Sequence, residues 1–228
     1  VTHPVGRSPA LRRVGAVLVW LAAVGPLPWL VWLAVSGGLG ANPIESLEHR
    51  TGHYALRLLA ASLAITPLRA LTGWGWLVAH RRTLGLAAFV WAVVHLMVYV
   101  GLDLVLDLPL FLEDLVKRRY ITIGMLAIAL LTPLAVTSTK RWVRRLGGAR
   151  WTRLHRLVYP AVVAALIHFL WAVKRDVTLP VLYIIGVTLL LGARVLLRRR
   201  ARRVTPAAGQ ASSGQPVAAS VPGVRGPA

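Results

Sequence analysis

The sequence predicts an all-α integral membrane protein, a bundle of six transmembrane helices. Hydrophobic residues make up 57% of the 228 positions and charged ones only 15%, and the mean hydropathy of +0.65 lies outside the range of an ordinary soluble domain. The apolar residues are also grouped, in stretches near the ~17–25 residues that cross a bilayer as a helix. They run over Val14–Val35, Gly52–Leu68, Leu84–Gly101, Tyr120–Val136, Thr152–Val173 and Leu179–Leu197.

Each stretch has its own justification. The first exceeds the ~7–15 residue apolar core of a secretion signal and carries Pro26 and Pro28, so it is read as a retained span. The second ends on Ile65-Thr66-Pro67-Leu68 and the fourth on Leu131-Thr132-Pro133-Leu134. Each proline removes one helix hydrogen bond and favours a bend near the span's end. This is a helix-ending signal used twice. The third and fifth stretches carry buried-type histidines, and Pro160 interrupts the fifth. The sixth stops at the cluster Arg198, Arg199, Arg200, Arg202 and Arg203, a stop-transfer signal that can also meet anionic lipid headgroups. From Val204 to Ala228 the chain is rich in Ala, Pro, Gly and Ser and is expected to be disordered. The expected division is a cytoplasmic segment 1–13, a transmembrane domain 14–197 and a basic, then disordered, tail 198–228.

Charge orients the bundle. The N-terminal segment, the loops after the second and fourth spans with the span ends beside them, and the C-terminal tail hold 20 of the 27 Lys and Arg residues and no acid. The opposite loops hold all seven acids, Glu45, Glu48, Asp103, Asp107, Glu113, Asp114 and Asp176, with six bases, Arg50, Lys117, Arg118, Arg119, Lys174 and Arg175. The positive-inside rule therefore places both termini in the cytoplasm. Topology also accounts for the net charge of +20 without a nucleic-acid partner, because the bases sit in short loops at span ends and form no single reading face.

Several chemistries are excluded. With no cysteine, disulfides, thiolate catalysis, iron–sulfur clusters and thiolate-ligated haem are ruled out. No GxGxxG or GxxxxGK loop occurs, and no loop is long enough for a nucleotide-binding domain.

The histidines remain. His3, His49, His53 and His80 lie in the N-terminal tail or at span ends and are set aside as water-accessible. His95 lies ~16 Å into the third span at 1.5 Å per residue, and His168 lies ~20 Å outward of His155 on the fifth. His95 and His168 thus occupy a similar layer in the outer half. Neutral imidazoles facing each other across an apolar slot are what a b-type haem requires, so His95 and His168 are the expected metal ligands. Phe89, Trp91, Val94, Val98, Ala164, Ala165, Leu166 and Trp171 are available to line the slot. His155 serves either as a ligand of a second haem or as an interfacial hydrogen-bond partner. Arg57, well inside the second span, serves either as a partner for a propionate or other anion or as a snorkelling cation.

A longer pattern joins these residues. It comprises Asn42-Pro43-Ile44-Glu45, Thr51-Gly52, Thr66-Pro67-Leu68-Arg69, and Arg81-Arg82-x-Leu84-Gly85-Leu86 with His95 and Tyr99. It continues with Leu131-Thr132-Pro133-Leu134-Ala135-x-Thr137-Ser138 and Trp151-x-x-Leu154-His155-Arg156-Leu157-x-Tyr159 with His168. In order and spacing, from about Gly15 to Leu197, the chain resembles the haem-binding membrane subunit of the bacterial protein-methionine-sulfoxide reductase system, the MsrQ or YedZ family of the ferric-reductase-like transmembrane superfamily. The resemblance implies a b-type haem protein of the bacterial inner membrane, associated also with FMN, that draws electrons from the quinone pool. It implies delivery to a periplasmic molybdopterin-containing reductase that repairs oxidised methionines, with His95, His155 and His168 as the family's histidines.

The chain is accordingly expected to be a membrane electron conduit rather than a self-contained catalyst. A stand-alone ferric-reductase-like cytochrome b with another acceptor is the alternative. A transporter or sensor with titrating histidines is a third class.

Overall fold

A computed structural model describes residues 9–173 and 176–204. Among these residues the chain is helical throughout, with no strand. The helices are α1 (Pro9–Val24), α2 (Pro26–Val35), α3 (Pro43–Thr72), α4 (Leu77–Val98), α5 (Leu108–Lys117), α6 (Arg119–Val136), α7 (Lys140–Leu146), α8 (Gly148–Leu154), α9 (Val158–Ala172) and α10 (Thr178–Val204). Among the described residues six segments are long and apolar enough to cross a membrane: Arg13–Val35, Pro43–Thr72, Leu77–Asp103, Arg119–Val136, Gly148–Ala172 and Thr178–Leu197. The predicted six-span architecture is therefore observed. His3, Lys174, Arg175 and the expected disordered tail from residue 205 lie outside the described residues.

Local chemistry explains the boundaries. The first span is broken at Gly25, because Pro26 and Pro28 follow it, and a β-carbon on residue 25 would come 2.4 Å from the Leu21 carbonyl oxygen, which favours glycine there. The α3 helix starts on Asn42, whose side chain accepts from the Glu45 amide at 3.3 Å and donates to the Glu45 carboxylate at 2.8 Å, with Pro43 in its first turn. It ends on Gly73 at φ +71°, a left-handed cap. Asp107 caps α5 through the Leu110 amide. The last helix runs on to Val204, so the backbone stays helical beyond the apolar segment that ends at Leu197.

The most extensive packing pairs α3 with α4 and α6 with α9; α10 joins α3 and α9, and α4 meets α6. Leu59, Leu63, Ala88, Trp91, Val162 and Leu166 form the centre of the core. The Trp91 indole donates to the Ala23 carbonyl at 2.7 Å and ties the first span to the third. Large apolar side chains stay outside on every span, among them Trp20, Leu68, Val90, Leu126, Val163 and Leu189. A surface so apolar is matched to hydrocarbon rather than water.

Candidate functional site

The pairing of α3 with α4 and of α6 with α9, and the contact of α4 with α6, bring the His95 and His168 rings beside each other. Their ring centres lie 6.0 Å apart with planes at 73°. Two imidazoles on one metal, each bonded at about 2 Å with about 1.1 Å from nitrogen to ring centre, stand about 6 Å apart. The observed separation meets that requirement.

The second nitrogen of each ring is already committed. His95 Nδ1 lies 3.0 Å from the Glu48 carbonyl of α3 and 3.4 Å from the Thr51 hydroxyl, and His168 Nδ1 lies 2.7 Å from the Tyr120 carbonyl of α6. A carbonyl only accepts, so both Nδ1 atoms carry the proton and both Nε2 atoms keep the lone pair that a metal takes. Backbone carbonyls thus fix the tautomer and the tilt of each ring.

Two glycines make room for these rings. A β-carbon on Gly52 would come 3.3 Å from His95 Cε1, and one on Gly124 would come 2.6 Å from His168 Nδ1. The second contact is one that no ordinary side chain tolerates. Thr51-Gly52 stands out in the sequence. Gly124 does not, and its only sequence signal is a glycine inside a span, where small residues permit close approach.

His155 sits elsewhere. The chain forms a 3₁₀ turn at His155–Leu157, and the imidazole stacks on Trp151 with centres 3.8 Å apart. Its Nδ1 donates to the Trp151 carbonyl at 3.1 Å, while its Nε2 is buried without a hydrogen-bond partner. With Nδ1 on a carbonyl, the lone pair lies on Nε2 here too, as in His95 and His168.

Arg57 is exposed on α3. Its Nε donates to the Tyr183 hydroxyl of α10 at 3.1 Å, its guanidinium lies over the Tyr54 ring, and neither of the ion pairs found among the described residues includes it. His53, which the sequence places among water-accessible side chains, is half-buried with its ring edge-on to Phe169 at 5.0 Å. His49 stacks near it at 6.4 Å, and His80 stays at the basic end of α4 beside Trp76.

Among the described residues no three His, Cys, Asp or Glu side chains converge into a metal cage. A pair of axial donors is suited instead to a metal that arrives with its equatorial nitrogens already supplied, as iron does in a porphyrin. The donor set therefore fits haem.

Comparison with known proteins points the same way. Residues 51–166 match the family described as ferric reductase like transmembrane component, a stretch that includes His95 and His155. The chain is 47% identical over 191 residues to the protein-methionine-sulfoxide reductase heme-binding subunit MsrQ of Rhodospirillum rubrum, covering 84% of this chain and 92% of that one. It is 52% identical over 188 residues to the MsrQ of Xanthomonas campestris pv. campestris strain 8004, covering 81% and 86%. With the MsrQ of Caulobacter vibrioides the identity is 49% over 166 residues, covering 73% and 79%. No solved structure matches the chain.

Proposed function

Because the chain belongs to the MsrQ family of ferric-reductase-like membrane proteins, we propose that it is the b-type cytochrome subunit of a methionine sulfoxide reductase system. It carries electrons from the quinone pool outward to a periplasmic molybdopterin-containing reductase subunit. The observation that carries this reading is the 6.0 Å separation of His95 and His168, with both Nδ1 atoms tied to backbone carbonyls.

His95 and His168 hold the iron of an outer haem through Nε2. His155 holds a second haem toward the cytoplasmic side, where its buried Nε2 has no other partner. Arg57 is the partner for a propionate or other anion, its exposed guanidinium being steadied by Tyr183 and Tyr54. Bound haem supplies reversible one-electron chemistry at iron. The chain's own residues supply the rest. The carbonyls of Glu48 and Tyr120 orient the two imidazoles and keep their Nδ1 protons in place. Gly52 and Gly124 give the rings room, and Trp91, Leu166 and the apolar core around them exclude water. FMN enters the proposal on the family resemblance alone.

The proposed setting is the bacterial inner membrane with both termini cytoplasmic, as a cytoplasmic segment 1–13, the transmembrane domain 14–197 and a C-terminal region 198–228. Sulfoxide reduction takes place on the partner, because the chain has neither a thiol nor a recognisable nucleotide-binding loop. The test is spectroscopic. The purified chain is expected to show a Soret band that shifts on reduction, and the reduced form is expected to reoxidise only when both the periplasmic reductase and methionine sulfoxide are added. Reoxidation without the partner would move the assignment to a stand-alone cytochrome b.

A further inference from the structure

Asp114 is 4% exposed, the one acidic residue among the described residues that is buried as a whole. It lies on α5, the short helix that crosses the outer end of the bundle between the spans of His95 and of Tyr120. Both of its oxygens are used. The Tyr99 hydroxyl donates to Oδ2 at 2.5 Å, and Arg118 Nε donates to Oδ1 at 2.8 Å.

Each arm leads to a haem-ligand candidate. Tyr99 stands one turn beyond His95, and its amide donates to the His95 carbonyl where α4 passes into the π-helical turn Tyr99–Asp103. Such turns are rare and recur at functional sites. On the other side Arg118 Nη1 reaches the Tyr120 hydroxyl at 3.3 Å, and the Tyr120 carbonyl accepts from His168 Nδ1 at 2.7 Å. The Thr122 hydroxyl adds a bond to the Leu115 carbonyl at 2.6 Å, which holds α5 against the start of α6. The path His95–Tyr99–Asp114–Arg118–Tyr120–His168 therefore closes around the outer face of the imidazole pair.

We infer that Asp114 is a positioning residue, a clamp that fixes the spacing and tilt of His95 and His168 by joining the helix end above one to the carbonyl that orients the other. The physical reason is the cost of a buried carboxylate, whose oxygens hold their donors firmly: losing Tyr99 leaves Oδ2 without a hydrogen bond, and losing Arg118 leaves the charge unpaired. An i,i+4 ion pair at a helix end would need only Arg118. The Tyr99 arm extends the pair to the helix of His95. This inference rests on the haem reading of His95 and His168.

The experiment uses the full-length haem-loaded protein and its Asp114→Asn, Asp114→Glu and Tyr99→Phe variants, each measured for haem per chain, carbon monoxide binding to the ferrous form and the ferric low-spin signal. A haem held by two imidazoles excludes carbon monoxide, so the reactive fraction, after subtraction of the part that His155→Ala removes, reads how readily one ligand lets go. Loss of a charge-assisted bond is expected to raise that fraction about tenfold or more in Asp114→Asn, with a smaller rise in Tyr99→Phe and recovery toward wild type in Asp114→Glu. Tyr99→Phe leaves the Asp114–Arg118 pair intact, so it decides the matter if Asp114→Asn does not fold. Wild-type carbon monoxide reactivity and ferric signal in Tyr99→Phe would overturn the clamp, whatever Asp114→Asn does, because the link to the His95 helix would then be dispensable. A wild-type protein with no Soret band would instead remove the haem reading on which the inference rests.

Discussion

The imidazole planes of His95 and His168 stand at 73° to each other across a 6.0 Å gap between ring centres. The angle is set by two carbonyls on different helices, Glu48 on α3 and Tyr120 on α6, and so is built into the packing of the bundle. Axial imidazoles that are nearly perpendicular leave the ferric iron's lowest d orbitals almost degenerate. The oxidised outer haem is therefore expected to give a highly anisotropic low-spin electron paramagnetic resonance signal, with one very large g value. A rhombic signal typical of parallel imidazoles would contradict the geometry.

Gly124 and Gly52 give a graded test of the same site. A methyl group on residue 124 would meet His168 Nδ1 at 2.6 Å, whereas one on residue 52 would meet His95 Cε1 at 3.3 Å. Overpacking of this kind costs about 1–3 kcal/mol, and at residue 124 it also displaces the nitrogen that bonds Tyr120. Gly124→Ala is expected to lose most of its outer haem and Gly52→Ala much less, measured as haem per chain. Equal retention in both would show that the rings have more room than the packing gives them.

How much of this was legible beforehand follows from what each feature depends on. Six spans could be read because hydrocarbon selects for unbroken apolar stretches, and the matching depth of His95 and His168 could be read because a helix rises by a fixed amount per residue. Pro26 and Pro28 mark the break at Gly25, although the reading of the first stretch as one retained span does not draw it from them. The carbonyl partners of the imidazoles, the Gly124 notch, the packing of His53 on Phe169 and the burial of Asp114 depend on which helix lies beside which. Sequence periodicity does not carry that information. Asp114 in particular reads as one more exposed acid in an acidic loop, until Tyr99 and Arg118 are seen on either side of it.

The orientation can be checked in this cysteine-free background. Single cysteines at Ala41, Ala79 and Ala149, all exposed, would be labelled in intact cells with an impermeant thiol reagent. Only the Ala41→Cys protein is expected to react, since the proposed topology puts the basic ends near residues 79 and 149 on the cytoplasmic side. Reaction at 149 without reaction at 41 would invert the bundle.

Docking of the proposed periplasmic partner is expected to use the acids of this region that stay exposed and outside any ion pair. Asp103 and Asp107 are exposed, Glu113 is paired with Lys117 and Asp114 is buried. Neutralising Asp103 and Asp107 together is expected to slow partner-dependent haem reoxidation at low salt, with the difference fading as salt rises. An effect that does not depend on salt would place docking elsewhere.

The most direct measurement is the haem content and absorption spectrum of His95→Ala, His168→Ala and His155→Ala beside wild type. Removing either member of the outer pair is expected to abolish the same low-spin centre or convert it to high spin, and His155→Ala is expected to leave that centre unchanged while lowering total haem per chain. Wild-type spectra in both His95→Ala and His168→Ala would contradict the assignment of these two residues as the ligands of one haem.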